Sequence, residues 1–159
     1  MSIRSTAKAI IIDNGKILLN RCLDKKNGEY YSLPGGGQKK YETFNEAVVR
    51  ECLEETGYTV TPVRFAALCE TICDDENYRK KYPDYMHKVY HIFICRLEGA
   101  ERCIPTETDD FQVESVWIDK SVLPSVRLLP KAVGQNILSI IDGQSPLFLG
   151  SEHINFNHG

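Results

Sequence analysis

Two apolar runs open the chain, residues 7–12 and 16–21, separated by Asp13-Asn14-Gly15. Asn-Gly accepts positive φ at both central positions of a tight turn, so the pattern predicts a β-hairpin. A polar stretch, residues 24–29, leads to a short strand at 30–33. The period then becomes helical. Thr43 followed by Glu46 forms a capping box, Ala47, Val48, Val49, Cys52 and Leu53 supply apolar positions, and Gly57 is suited to end the helix. At about 100° per residue, Val49, Cys52, Leu53 and Thr56 share one side. Phe44, Ala47 and Val48 share another, and Glu51, Glu54 and Glu55 continue that second stripe.

Strand character returns at residues 59–73, with Pro62 near the start, and at 87–96. His87 and His91 share a face of the latter about 13 Å apart, too far to hold one metal, and read as sheet-surface or core histidines. Residues 74–85 are charged and aromatic. A solvated loop is the plain expectation; the alternative is a lid bringing Arg79, Lys80 or Lys81 to phosphates and Tyr78, Tyr82 or Tyr85 to a base. Residues 99–110 form a polar connection. Residues 111–118 read as a strand, with Trp117 in the core or against the capped helix. A helical turn at 121–123 stops at Pro124, and Pro130 opens a last helix that Gly143 ends. Residues 146–150 add a short strand, and 151–159 read as a loose tail. The order predicts an α+β fold with strands in mixed sheets and helices outside, residues 1–150 making one domain.

A chain of 159 residues can bury a real core. The formal net charge of −3 leaves no broad basic surface for extended nucleic acid, and no segment approaches a membrane span. Six cysteines, at 22, 52, 69, 73, 95 and 103, show neither CxxC nor zinc-type spacing. They read as buried, reduced thiols of a cytoplasmic protein.

The glutamate stripe changes this ordinary picture. Like charges at i, i+3 and i+4 cost an isolated helix roughly 0.2–0.5 kcal/mol per pair, and these sit in the last turns, where the dipole favours cations. A solvated acidic face, partly neutralised by Arg50, is the plainer account of a bare ExxEE. A hard divalent cation among the carboxylates, Mg²⁺ or Mn²⁺, is the functional one. Pro34 and the run Gly35-Gly36-Gly37 precede the helix, and glycine backbone permits close approach of a ligand.

From Gly36 the chain reads Gly, five residues, Glu42, seven residues, then Arg50-Glu51-Cys52-Leu53-Glu54-Glu55-Thr56-Gly57-Tyr58. This resembles the Nudix box, G-x5-E-x7-R-E-U-x-E-E-x-G-U, of the Nudix hydrolase (MutT-like) family. Every fixed position is filled. Cys52 and Tyr58 stand where Ile, Leu or Val is usual, and Tyr41 where many members have Gly.

The resemblance implies an α/β/α sandwich with a mixed sheet. It also implies Mg²⁺- or Mn²⁺-dependent hydrolysis, by water attack at phosphorus, of a nucleoside diphosphate linked to some group X. Transferred by position, Glu51, Glu54 and Glu55 are expected as metal ligands, with a carbonyl of Gly35 or Gly36. Glu42 is expected to support the metal site, and Arg50 to orient a glutamate; otherwise Arg50 is a plain i,i+4 partner of Glu54 or Glu46. The general base is a box glutamate or one of Glu107, Asp109, Asp110 and Glu114.

Tyr31, Arg21 and Arg79 are candidates for substrate binding. Cys73 and Asp74 occupy the places where ADP-ribose and dinucleoside polyphosphate members often carry a Pro or Tyr marker, so neither marker supports those subclasses; the leading expectation is a substrate of NTP or NDP-sugar size. Removal of pyrophosphate from an RNA 5′ end and a non-catalytic ligand-sensing module are the competing readings. Family members often form homodimers.

Overall fold

The computed structural model describes residues 2–108 and 110–155. Its strands are β1 (Arg4–Asp13), β2 (Lys16–Asp24), β3 (Gly28–Ser32), β4 (Gly35–Gly37), β5 (Tyr58–Cys73), β6 (His87–Arg102), β7 (Gln112–Asp119), β8 (Leu128–Leu129) and β9 (Leu147–Ile154). The helices are α1 (Phe44–Thr56), α2 (Glu76–Lys81) and α3 (Lys131–Asp142), with 3-10 segments at Pro83–Tyr85 and Lys120–Ser125.

The β1–β2 hairpin forms as the Asn-Gly pair predicts, with Asn14 at φ 49° and Gly15 at φ 75°. Strands follow the order β8-β3-β2-β1-β6-β5-β9, with β4 also on β1 and β7 also on β2. β1–β6 and β5–β9 are parallel and β5–β6 antiparallel, so the sheet is mixed. β1 is the hinge of this arrangement: its last residues pair with β2, while residues 6–8 pair with β4.

Alternation along β1 divides the core. Ala7, Ala9 and Ile11 pack with Val48 and Cys52 of α1, whereas Ile10 packs with Val133, Ile137 and Ile140 of α3. Two helices on opposite faces make an α/β/α sandwich. Val48 and Val133 are fully buried, and each such aliphatic side chain contributes about 1.5–3 kcal/mol relative to exposure.

Several expectations need correction. The buried face of α1 is Ala47, Val48, Cys52, Glu55 and Thr56, whereas Leu53 is exposed and Val49 only half-buried. An apolar count rotates the face away from its true position because glutamates lie on the inward side. Residues 74–85 are not a plain loop: Asp75 accepts the Tyr78 N–H and caps α2. β6 runs beyond residue 96 through Gly99, and the 3-10 segment continues through Pro124. Residues 151–154 are no loose tail, because β9 pairs them with β5 residues 70–73 and buries Ile154; residues 156–159 lie outside the described residues. Cys103 is exposed, while the other five cysteines are buried, and all six are thiols. Among the described residues no helix is long and apolar enough to cross a membrane.

Candidate active site

Both ends of α1 are pinned, which fixes its glutamates in space. At the start, Thr43 Oγ1 accepts the Glu46 N–H (3.1 Å) and Glu46 Oε2 accepts the Thr43 N–H (2.9 Å). At the end, Gly57 adopts φ 79° and donates to Leu53 O (2.9 Å). The loop after β6 then takes up the last carbonyls: Thr106 and Glu107 N–H groups donate to Glu54 O at 2.9 and 3.0 Å. A helix C-terminus leaves such acceptors open, and filling them carries Glu107 to the end of the helix.

Arg50 is the hub of the carboxylates. Its Nε donates to Glu42 Oε2 (2.7 Å) and its Nη2 to Glu42 Oε1 (2.9 Å), a two-pronged pair. Nη1 donates to Glu51 Oε1 (2.8 Å) and Glu54 Oε2 (3.2 Å), and Nη2 also reaches Gly37 O (2.9 Å). These bonds hold the Glu42 carboxyl down at about 2 and raise the Arg50 guanidinium, with Glu42 the largest cause. The plain i,i+4 pair with Glu54 is therefore one contact among five, and Glu46 is occupied by the cap. Three carboxylates surround one guanidinium, so the cluster keeps a formal negative excess.

Glu55 is held differently. It is 6% exposed, and its Oε1 accepts from Asn20 Nδ2 (3.1 Å) and the Gly35 N–H (2.9 Å). Asn20 is oriented in turn by Ser115 Oγ, which donates to its Oδ1 at 2.8 Å. Gly35 sits at φ 132°, and a Cβ there would lie 2.2 Å from Ala7 O, so only glycine lets β4 present this amide. At Gly36 a Cβ would meet Glu51 Oε2 at 2.7 Å; the bare backbone makes room for the carboxylate.

The two glycine carbonyls differ. Bonds from Ala9 N–H to Pro34 O and from Gln38 N–H to Ser5 O bracket the opposed pair Ala7↔Gly36. Ladder alternation therefore turns the Gly36 peptide groups toward β1, so its carbonyl is used in the sheet. The Gly35 carbonyl faces away from β1 and accepts from Lys8 Nζ at 2.9 Å.

Glu51, Glu55 and the three glycines form one wall of a pocket of about 920 Å³. Its floor is Arg4, Thr6, Lys8, Lys88 and Tyr90. Tyr78, Lys81, Tyr82 and Tyr85 form one rim, and Glu107, Asp110 and Phe111 another. Glu42, Arg50 and Glu54 stand behind the wall, joined to it through the guanidinium.

The structure does not bring Arg21, Tyr31 or Arg79 to the lining. Arg21 pairs with Glu114 (3.0 Å) and Glu29 (3.4 Å). Arg79 donates to Cys73 O and Asp74, and Tyr31 packs against the core on the α3 side. Of the later acidic residues Glu107 and Asp110 line the pocket, Glu114 is tied to Arg21, and Asp109 lies outside the described residues. His91 stacks on Phe44 with centroids 4.1 Å apart, and His87 pairs with Glu70.

Sequence reasoning missed the cationic floor and Asn20. The signal was available for the floor: Arg4-Thr6-Lys8 and Lys88-Tyr90 repeat at the strand period of two, and Lys8 interrupts an apolar run.

Among the described residues no three acidic, cysteine or histidine side chains already converge on one point; Arg50 stands among Glu42, Glu51 and Glu54. The donor set is nonetheless all oxygen, two of its carboxylates border the pocket, and Gly36 leaves the space a Cβ would fill. Hard oxygen donors of this kind fit Mg²⁺ or Mn²⁺.

Residues 3–136 match the model of the NUDIX domain. The chain belongs to the NUDIX family. Its members are pyrophosphohydrolases that act on small nucleotide-type substrates and generally use divalent metals. Solved structures share the NUDIX fold at low identity. A NUDIX hydrolase from Nitrosomonas europaea superposes with a TM-score of 0.71 at 19% identity, covering 91% of this chain and 93% of that one. An ADP-ribose pyrophosphatase from Streptococcus suis gives 0.62 at 22%, covering 92% and 99%. A MutT protein from Methanosarcina mazei Go1 gives 0.62 at 20%, covering 87% and 93%.

Proposed function

We propose that the chain hydrolyses a phosphoanhydride bond of a nucleoside diphosphate linked to X, of NTP or NDP-sugar size, by water attack at phosphorus. Glu51, Glu54 and Glu55 would hold Mg²⁺ or Mn²⁺. The observation that carries this reading is the Arg50 hub, which holds Glu51 at the wall of a pocket large enough for a nucleotide and Glu54 directly behind it. The cation, when bound, supplies Lewis acidity toward the diphosphate oxygens.

The chain's own residues do the rest. Glu42 anchors Arg50, and Arg50 orients Glu51 and Glu54. Asn20 and the Gly35 N–H fix the Glu55 carboxylate. Glu107, carried to the pocket by its amide bond to Glu54 O, accepts the proton of the attacking water on its carboxylate.

The test is mononucleotide or phosphate release from NTPs, NDP-sugars, ADP-ribose and dinucleoside polyphosphates, with Mg²⁺, Mn²⁺ or chelator. ADP-ribose belongs in the panel because the Streptococcus suis neighbour is described as its pyrophosphatase. Cation-dependent turnover that Glu54→Gln abolishes supports the reading. Binding of a panel compound without turnover under any condition would favour a ligand sensor instead.

A further inference from the structure

We propose that Arg4, with Lys8 and Lys88 beside it, forms a subsite for a phosphoryl group that the substrate carries in addition to the diphosphate being cut. The inference rests on the hydrolase reading above and deepens it: preferred substrates carry a third phosphate, and a neutral sugar as X is disfavoured.

Strand register assembles the subsite. Parallel pairing of β1 with β6 sets Arg4 opposite Lys88 and Thr6 opposite Tyr90. Period-two alternation then puts Arg4, Thr6, Lys8, Lys88 and Tyr90 on one face, the floor of the pocket. Among the described residues six basic side chains border the pocket against five acidic ones, in a chain of formal net charge −3. Cations are concentrated here against the overall balance.

Arg4 is the decisive member. Its guanidinium carbon lies 4.5 Å from the Tyr85 ring centroid, and a Cβ at Gly37 would come within 2.6 Å of its Nη2. The Tyr85 ring beneath the cation and the bare backbone of Gly37 beside it hold the group in place. No ion pair joins Arg4 to a carboxylate among the described residues. By contrast Arg21, Arg50 and Arg79 are each paired with one. A guanidinium held over a ring rather than by a carboxylate keeps N–H donors for an anion, and its fork of donors suits phosphate.

Lys8 adds buried charge. It is 6% exposed, and its Nζ donates to two neutral carbonyls, Gly35 O at 2.9 Å and Leu33 O at 3.4 Å. A buried ammonium bonded to neutral acceptors gains when an anion arrives. A charged floor is also a poor seat for the face of a nucleobase, which stacks on apolar or aromatic surface. Tyr78, Tyr82 and Tyr85 stand at the α2 rim, while Tyr90 on the floor is only 1% exposed, so the anionic end of the substrate goes to the floor.

The test compares ATP with ADP-glucose in the wild type, Arg4→Gln and Arg4→Lys. Loss of a charge-assisted contact predicts a rise of about tenfold or more in KM for ATP in Arg4→Gln, with kcat within about threefold. The ADP-glucose constants stay within about twofold, and Arg4→Lys recovers part of the loss. An equal loss on both substrates, or none on either, overturns the proposal; the former would place Arg4 on the scissile diphosphate.

A second readout needs no turnover. In chelator, inorganic tripolyphosphate raises the wild-type Tm more than pyrophosphate does, and both Arg4→Gln and the surface variant Tyr85→Leu lose that difference. Absence of the difference in wild type sinks the subsite even if hydrolysis is confirmed; its presence in a chain that hydrolyses nothing sinks only the reaction.

Discussion

Replacing Arg50 by alanine removes four hydrogen bonds to carboxylates and one to Gly37 O. The side chains of Arg50, Glu42, Glu51 and Glu54 are only 20%, 13%, 16% and 22% exposed. Breaking a buried ion pair from one side costs roughly 3–5 kcal/mol, and this partial exposure places the loss near the low end, about 3 kcal/mol. For a chain of this size each kcal/mol is worth about 2–4 °C, so Tm should fall by roughly 6–12 °C. Arg50→Lys keeps the charge but not the fork that spans Glu42, Glu51 and Gly37, and should recover less than half.

The assay is thermal unfolding by circular dichroism, in chelator and then in millimolar Mg²⁺. Without the guanidinium Glu51 and Glu54 lose the group that orients them, so the Mg²⁺-induced rise in Tm should be smaller in Arg50→Ala than in wild type. A loss within about 0.5 kcal/mol, the range of ordinary surface substitutions, would refute the hub and reduce Arg50 to a solvated helix pair.

Two further outcomes follow from the same contacts. Arg50 lowers the Glu42 carboxyl from 4.5 to about 2, so its stabilisation is complete above pH 4.5 and is lost as pH falls toward 2; acid unfolding followed by fluorescence should show a shallower fall across that window in Glu42→Gln than in wild type. Glu107→Gln should lower kcat about 10²- to 10⁴-fold, the contribution typical of a general base, while Glu114→Gln, whose carboxylate is tied to Arg21 away from the pocket, leaves steady-state kcat unchanged.

What could be read from the sequence is what local chemistry decides. The Asn14-Gly15 turn and both ends of α1 depend on residues a few positions apart, and each formed as its pattern predicts. The same short spacing sets Glu51 and Glu54 on Arg50, which Glu42 joins from the preceding loop, while Glu55 turns instead to Asn20 and Gly35. The inward face of α1 was misread because Glu55, buried against Asn20 and Gly35, carries no apolar signal. The start of β9 was legible as the short strand at 146–150, but residues 151–154 escaped because their polar residues are held by pairing with a strand some 80 positions earlier, Glu70 opposite Ser151. The pocket floor is likewise a product of register: nothing local says that Arg4 will stand opposite Lys88. Arg21, Tyr31 and Arg79 were chosen by residue type, and their neighbours on the sheet and around α2 claim them for other contacts.

The most direct test of the hydrolytic account is turnover in H₂¹⁸O with Mg²⁺, products read by mass spectrometry, for whichever panel substrate is cleaved. Water attack at phosphorus predicts one ¹⁸O in a single phosphoryl product, and loss of the labelled product in chelator and in Glu54→Gln. Label on the carbon of X, or labelled product formed undiminished without the cation and the glutamate, would contradict it.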